Sequence, residues 1–347
     1  MSVRLLRPLL LAVGLAVVVW LVWDLGPAAV WEAIHTLSWR LGLVVLFPFC
    51  VAVVLDTLGW RVLLPKCRVP WGTLAAARLA GEAVNLLTPT ASVGGEPLKA
   101  YLVRDRLPLD EGLASVVVDK TTMVMGQAAF LAAGLGVALL ALEPSRTVTI
   151  AMAALLAVEI VGVGGFAMVQ IHGGIAGAGR ILHRLGVGRA ESHQELLREV
   201  DGRLPRLYRE RRARVLLSAL LHTLGWAVGG LEIYVVLTLA DIPVSLTTAL
   251  VLEAVGCAVR FATFMVPGSL GALEGGNVAV FAAFGLPGAA GLSFSLVRRL
   301  REATWALIGL GALAAFKSRG EGPAAGGSNP AGGSGGARRC GNITRPH

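Results

Sequence analysis

The sequence is short of charge. Only 15% of its 347 residues are Asp, Glu, Lys or Arg, where a soluble protein carries about a quarter. With 55% hydrophobic residues and a mean hydropathy of +0.70, an ordinary water-soluble globule is excluded. Cysteine is rare: Cys50, Cys67, Cys257 and Cys340 are scattered and form no CxxC pair. A disulfide framework and a thiolate metal site are therefore not expected. His35, His172, His183, His193, His222 and His347 show no ligand spacing, so no metal is expected. No nucleotide loop or nucleophile motif occurs, so no cofactor is expected. Any transport would have to draw on an ion gradient, a partner or the substrate's own gradient. The net charge of +9 comes without a zinc finger or an RNA-binding signature, which excludes nucleic acid as a partner. The cations fit cytoplasmic loops and contact with anionic lipid.

Long apolar runs are what the sequence does have, and runs of about twenty such residues span a bilayer. Six read as spans: Pro8–Trp23, Leu41–Leu64, Leu113–Leu142, Val148–Val169, Val215–Leu239 and Ala290–Phe316. Arg4 and Arg7 before the first resemble the start of a signal peptide. Its apolar core is long and no A-x-A cleavage site follows, so a retained helix is expected. Two further apolar segments, Gly72–Val103 and Leu246–Leu286, are broken near their middle by Pro and Gly.

Orientation follows from Lys and Arg. The stretch Ile171–Arg214 holds ten arginines and is assigned to the cytoplasm. The N-terminus, the Arg61/Lys66/Arg68 and Arg104/Arg106 regions and the tail from Lys317 then also fall inside. This works only if each broken segment enters and leaves on one side, the first from the cytoplasm and the second from outside. The expected fold is an all-α integral membrane protein with six transmembrane helices and two inverted re-entrant helical hairpins. Its membrane domain would cover 1–317, followed by a Gly/Ser/Pro-rich disordered tail, 318–347. Leu196, Leu197, Val200, Leu204 and Leu207 recur at helical spacing in the basic loop, which predicts an amphipathic helix, either on the inner leaflet or as an ordinary solvated helix of the loop.

The two broken segments look like copies, within repeats around 72–142 and 246–316. Aligned without gaps from Pro89 and Pro267, Glu96 meets Glu274, Ser115 meets Ser293 and Lys120 meets Arg298, while Pro108 and Pro287 miss by one. Three spans lie between the copies, so the second is inverted. Inverted repeats around broken helices are a transporter architecture with the site near mid-membrane. Irregular backbone at that depth has to face protein or a wet cavity, so the hairpins are expected to meet each other. Their breaks are placed at Pro89, Gly94 and Gly95, and at Pro267, Gly268, Gly271, Gly275 and Gly276. The glycines would permit close approach or hinging.

Ionisable residues inside apolar segments are costly and usually functional. Here they are Arg78, Glu82, Glu96, Lys99, Asp119, Lys120, Glu253, Arg260, Glu274 and the cluster Arg298, Arg299, Arg301 and Glu302. Helical spacing allows pairs Arg78–Glu82, Glu96–Lys99 and Arg298–Glu302. Three arginines near mid-bilayer need carboxylates elsewhere, with Glu274, Glu253 and Glu96 as candidates, or an anionic ligand. Arginine suits phosphate. Glu96 and Glu274 could instead cap the half-helices they open.

At these motifs the chain resembles a known family. "NLLTPTASVGGEPLKAYLVRD", "FMVPGSLGALEGGNVAVFAAFGLP" and "LSFSLVRRLREATWALIGL" look like the lysylphosphatidylglycerol synthase transmembrane (flippase-like) family, nearest its hopanoid-biosynthesis-associated branch. The resemblance implies movement of a lipid, an anionic phospholipid or hopanoid, across a bacterial inner membrane. Lipid-biosynthesis proteins are possible partners. Glu96, Lys99, Asp119, Lys120, Arg260, Glu274, Arg298, Arg299, Arg301 and Glu302 would form the headgroup path. Full-length synthases of the family add a soluble aminoacyl-transferase domain. Here a low-complexity tail follows Lys317, so that reaction is not expected to carry over. The alternatives are a membrane-embedded lipid-modifying transferase, with Glu96, Asp119 and Glu274 as acid–base groups, and a non-catalytic member of a lipid-synthesis complex.

Overall fold

The computed structural model describes residues 40–320, apart from 65–68, 88–93, 143, 173, 175–176, 178–191 and 263–268, together with positions 19, 23, 27, 28 and 31. The expected first span therefore lies almost wholly outside the described residues, as do Pro89, Pro267, Gly268 and the tail beyond 320. Among the described residues there is no strand. Eleven helices occur: α1 Arg40–Leu46, α2 Phe49–Leu63, α3 Trp71–Leu87, α4 Gly95–Leu102, α5 Leu109–Ala141, α6 Arg146–Ile171, α7 Ser192–Glu210, α8 Arg212–Leu239, α9 Leu246–Ala262, α10 Ala272–Ala283 and α11 Gly288–Gly320.

Local chemistry sets the ends. Pro108 precedes α5, and Asp110 and Glu111 occupy its first turn, where the helix dipole favours anions. The Ser145 hydroxyl accepts from the Val148 N–H at the start of α6. The expected span Leu41–Leu64 is interrupted: α1 stops at Leu46 and α2 begins at Phe49. Pro48 lacks an N–H and disfavours helical backbone at Phe47.

Four stretches are long and apolar enough to cross a membrane: Gly42–Leu63, α5, α6 and α8. Helix α11 matches α5 at 33 residues, but Arg298, Arg299, Arg301 and Glu302 interrupt its apolar run. Outward apolar side chains are heavily exposed, Leu140 at 90% and Val161 at 74%. A surface of that kind is stable only when covered by lipid or protein.

The two broken segments are helical hairpins. In the first, α3 and α4 pack together, and both its mouths lie in one apolar cluster that includes Leu64, Val69, Leu74, Val103 and Leu107. In the second, α9 and α10 pack together. Ile242 and Val244, leading into α9, and Phe284 and Leu286, leaving α10, share a cluster with Val236 and Leu237 at the far end of α8. The hairpins thus open toward opposite ends of the bundle. Among the described residues, which leave out 88–93 and 263–268, they do not lie mainly on each other, the arrangement that was expected. Instead the exchange is reciprocal: α3 packs on α11, and α9 packs on α5. The entering half-helices α3 and α9 thus lie against the other segment's long helix, while α4 and α10 pack on the long helices that follow them, α5 and α11.

Glycine matters at two places. A Cβ on Gly95 would strike the Gly81 carbonyl, so α3 and α4 meet backbone to backbone. Gly271, before α10, has φ +78°, which L side chains rarely adopt. Gly275, by contrast, has nothing within 4 Å of a built Cβ. Gly95→Ala is expected to lower stability by about 1–3 kcal/mol, while Gly275→Ala leaves it unchanged or raises it by up to about 1 kcal/mol. Thermal unfolding in detergent reads both.

The amphipathic helix α7 does not turn its apolar face to a lipid leaflet. Val200 and Leu204 are buried against Leu63, Ala114, Val118 and Val215 of α2, α5 and α8. Tyr208 donates to Gln170 of α6 at 2.7 Å. The basic end of the bundle is thus gathered by protein contacts.

Candidate functional site

Helices α2, α3, α8, α9 and α11 enclose a cavity of about 310 Å³. Phe49, Leu79, Leu86 and Trp305 supply large apolar side chains to its wall, and ionisable residues such as Asp56, Arg78, Glu232 and Arg301 line it as well. Behind that wall the charges fall into two networks.

The first network belongs to the first repeat and its neighbours. Arg78 meets Asp56 at 3.4 Å and Asp119 at 3.1 Å. His222 lies between the same two carboxylates, with Nδ1 2.8 Å from Asp56 and Nε2 3.0 Å from Asp119. Lys99 pairs with Glu82 at 2.7 Å and Glu96 at 3.1 Å. Lys120 stands 3.6 Å from Glu96. Asn85 ties the hairpin shut: its Oδ1 accepts from the Gly95 N–H at 2.7 Å, and its Nδ2 donates to Glu96 at 3.1 Å.

The second network joins α8, α9, α10 and α11. Arg298 donates to Glu253 at 2.6 Å and Glu232 at 3.2 Å. Arg301 also pairs with Glu232. Arg299 donates to Glu274 at 2.7 Å and to Glu302 at 3.0 Å, and Arg260 lies 3.8 Å from Glu302. Glu274 does two jobs, because its other oxygen accepts from the Gly271 N–H at 2.7 Å and so caps α10. Glu96 makes no such cap, since Asn85 takes that place.

The networks occupy matching positions along their helices. Arg78 is the eighth residue of α3 and Glu253 the eighth of α9. Asp119 and Arg298 are each the eleventh of their long helices, and Lys120 and Arg299 each the twelfth. The Arg78–Asp119 pair is therefore repeated as Glu253–Arg298 with its charges exchanged. Glu96–Lys120 is repeated as Glu274–Arg299 with its charges kept. The gapless alignment of Lys120 with Arg298 is thereby corrected by one residue. The register changes between the glutamates and Pro108/Pro287, where the prolines already missed by one.

Two expected pairs are not the ones made. Arg78 turns to Asp56 and Asp119 rather than Glu82, and Arg298 to Glu232 and Glu253 rather than Glu302. The Glu96–Lys99 pair forms as spaced. Of the expected path residues, Arg260, Arg298, Arg301 and Glu302 line the cavity. Glu96, Lys99, Asp119, Lys120, Glu274 and Arg299 are not part of its lining and stand behind it as partners. Asp56, His222 and Glu232 were not singled out from the sequence. Their signal was available, since each is an ionisable side chain inside an apolar run.

Buried charges usually have every donor and acceptor matched. Here Arg298 and Arg301 each keep a buried Nε–H without a hydrogen-bond partner. Both guanidinium groups also sit over rings, Arg298 at 4.6 Å from Phe294 and Arg301 at 4.3 Å from Phe49. Arg298 and Arg301 thus line the cavity beside an apolar wall, each with one donor buried and unmatched. Among the described residues no cluster of His, Cys, Asp and Glu is arranged to hold a metal.

A family model described as the lysylphosphatidylglycerol synthase TM region matches residues 8–311. No curated protein and no solved structure matches the chain.

Proposed function

The chain belongs to the lysylphosphatidylglycerol synthase TM-region family, a membrane-protein family tied to lipid metabolism, and from that premise we propose that it moves a phosphate-bearing lipid between the leaflets of a bacterial inner membrane. The observation that carries this reading is that Arg260, Arg298 and Arg301 line one apolar-walled cavity, two of them with a guanidinium donor left unmatched. Phosphate oxygens match such donors well. The apolar wall at Phe49, Leu79, Leu86 and Trp305 would follow the chains. A hopanoid with an uncharged head would leave the arginines unused, so the reading favours a phospholipid.

In the membrane the chain would have six transmembrane helices, with the two helical hairpins re-entrant from opposite faces and both termini cytoplasmic. Support comes from the clustering of basic segments at one end. Arg203 pairs with Asp110, and Arg211 and Arg214 donate to the carbonyls of Leu63 and Leu64 at 3.5 and 3.4 Å. Gathered cations mark a cytoplasmic face. Lipid movement would then proceed as the reciprocal α3–α11 and α9–α5 contacts open in turn.

Native mass spectrometry of the purified protein with short-chain phosphatidylglycerol tests the binding step. Bound, chemically unaltered lipid is expected, with binding weakened by Arg301→Gln. Recovery of covalently altered lipid would support a transferase instead.

A further inference from the structure

We propose that the pocket formed by Asp56, Asp119 and Arg78 around His222 is a proton-binding site whose proton crosses the membrane together with the lipid. The inference rests on the translocation reading and adds its driving ion.

With Asp56 and Asp119 both ionised, the contacts call for a charged ring. Both nitrogens of His222 lie within hydrogen-bond distance of a carboxylate oxygen, at 2.8 and 3.0 Å. An ionised carboxylate only accepts, so each nitrogen has to donate, and a ring that donates twice is an imidazolium. The charge balance agrees. The second network sets Arg260, Arg298, Arg299 and Arg301 against Glu232, Glu253, Glu274 and Glu302. The first, among the described residues, sets Asp56, Glu82, Glu96 and Asp119 against Arg78, Lys99 and Lys120. A protonated His222 is the missing fourth cation.

The proton has one visible route. His222 and Asp119 are buried, whereas the Asp56 side chain is 21% exposed and lines the cavity. The proton would leave Nδ1 for the Asp56 carboxylate and pass from there to cavity water. The ring itself is held still. A Cβ on Gly59 would come within 2.7 Å of its Nε2, and one on Gly126 within 2.9 Å of the His222 Cβ. The groups facing the ring are Asp56 from α2 and Asp119 from α5, with Arg78 of α3 bound to both. On α8, Glu253 of α9 lies against Gly229, and Arg298 and Arg301 of α11 meet Glu232, about two to three turns further on. Helix α7 meets α8 near Val215.

Arg78 connects the proton to the cavity, because it lines that space and binds the same two carboxylates. With His222 protonated, two carboxylates face two cations. Once the proton leaves, they draw on Arg78 alone and the cavity becomes more negative. A bound phosphate and the proton therefore favour each other by the same factor. An anionic lipid and one proton cross as a neutral pair.

The test uses phosphatidylcholine proteoliposomes containing a trace of fluorescent phosphatidylglycerol, with and without a pH difference of one unit. Dithionite bleaching reads the leaflet ratio. The wild type is expected to enrich the lipid in the leaflet facing the alkaline side, by up to about tenfold for one proton. His222→Gln is expected to give a ratio near one, and Asp56→Asn, at the cavity edge, the same should the first variant fail to fold. Wild-type exchange with a ratio of one under the gradient overturns the proton site and leaves translocation standing. Absence of wild-type exchange overturns both.

Discussion

Glu232→Ala is expected to destabilise the protein by about 3–5 kcal/mol, the range found when one partner of a buried ion pair is removed. Glu232 is only 1% exposed and receives both Arg298 and Arg301. Arg298 would keep Glu253, but among the described residues Arg301 pairs with no other carboxylate, and arginine does not discharge by losing its proton. Its position over Phe49 offsets part of the loss, on the order of 1–2 kcal/mol. Arg203→Ala is the comparison: its pair with Asp110 is 45% exposed on the arginine side, and such pairs contribute about 0–1 kcal/mol. Thermal unfolding in a mild detergent should separate the two variants clearly. Equal small effects would mean that the second network is not closed by Glu232.

Arg298→Lys should slow lipid exchange by about ten- to a hundredfold while the protein stays folded. The variant keeps the charge between Glu232 and Glu253 but loses the planar fork, including the unmatched Nε–H. Each charge-assisted hydrogen bond is worth about 1.5–3 kcal/mol, and lysine replaces a fork with a single point charge. A network that only joins the repeats would behave differently, with some stability lost and exchange intact. Leaflet exchange and unfolding measured on one preparation distinguish the cases.

Much of the helical layout was legible from hydropathy alone. The apolar runs at Leu113–Leu142 and Val215–Leu239 became α5 and α8 with ends shifted by a few residues. The broken segments were visible as hairpins because Pro and Gly cannot continue a helix without strain. The order of Pro, Gly, Glu and cation pointed to the matching positions of Glu96 and Glu274 in the two segments. Partner choice was not legible. Spacing along one helix brought Arg78 near Glu82 and Arg298 near Glu302, but buried arginines took carboxylates from other helices, and that depends on packing. Likewise, the α3–α11 and α9–α5 exchange follows from three-dimensional closure that no local pattern contains. Asp56, His222 and Glu232 were each isolated in a run that otherwise reads as plain membrane helix, so they attracted less notice than the dense Arg298–Glu302 cluster.

Leaflet exchange of fluorescent phosphatidylglycerol, in proteoliposomes holding the purified wild-type protein without any imposed gradient, tests the central claim most directly. Exchange well above that of protein-free vesicles is expected, with slower exchange in both Arg298→Ala and Glu96→Ala. Exchange no faster than in protein-free vesicles, from protein shown to be inserted and folded, would contradict lipid translocation. Full exchange in both variants would contradict a path along these charges.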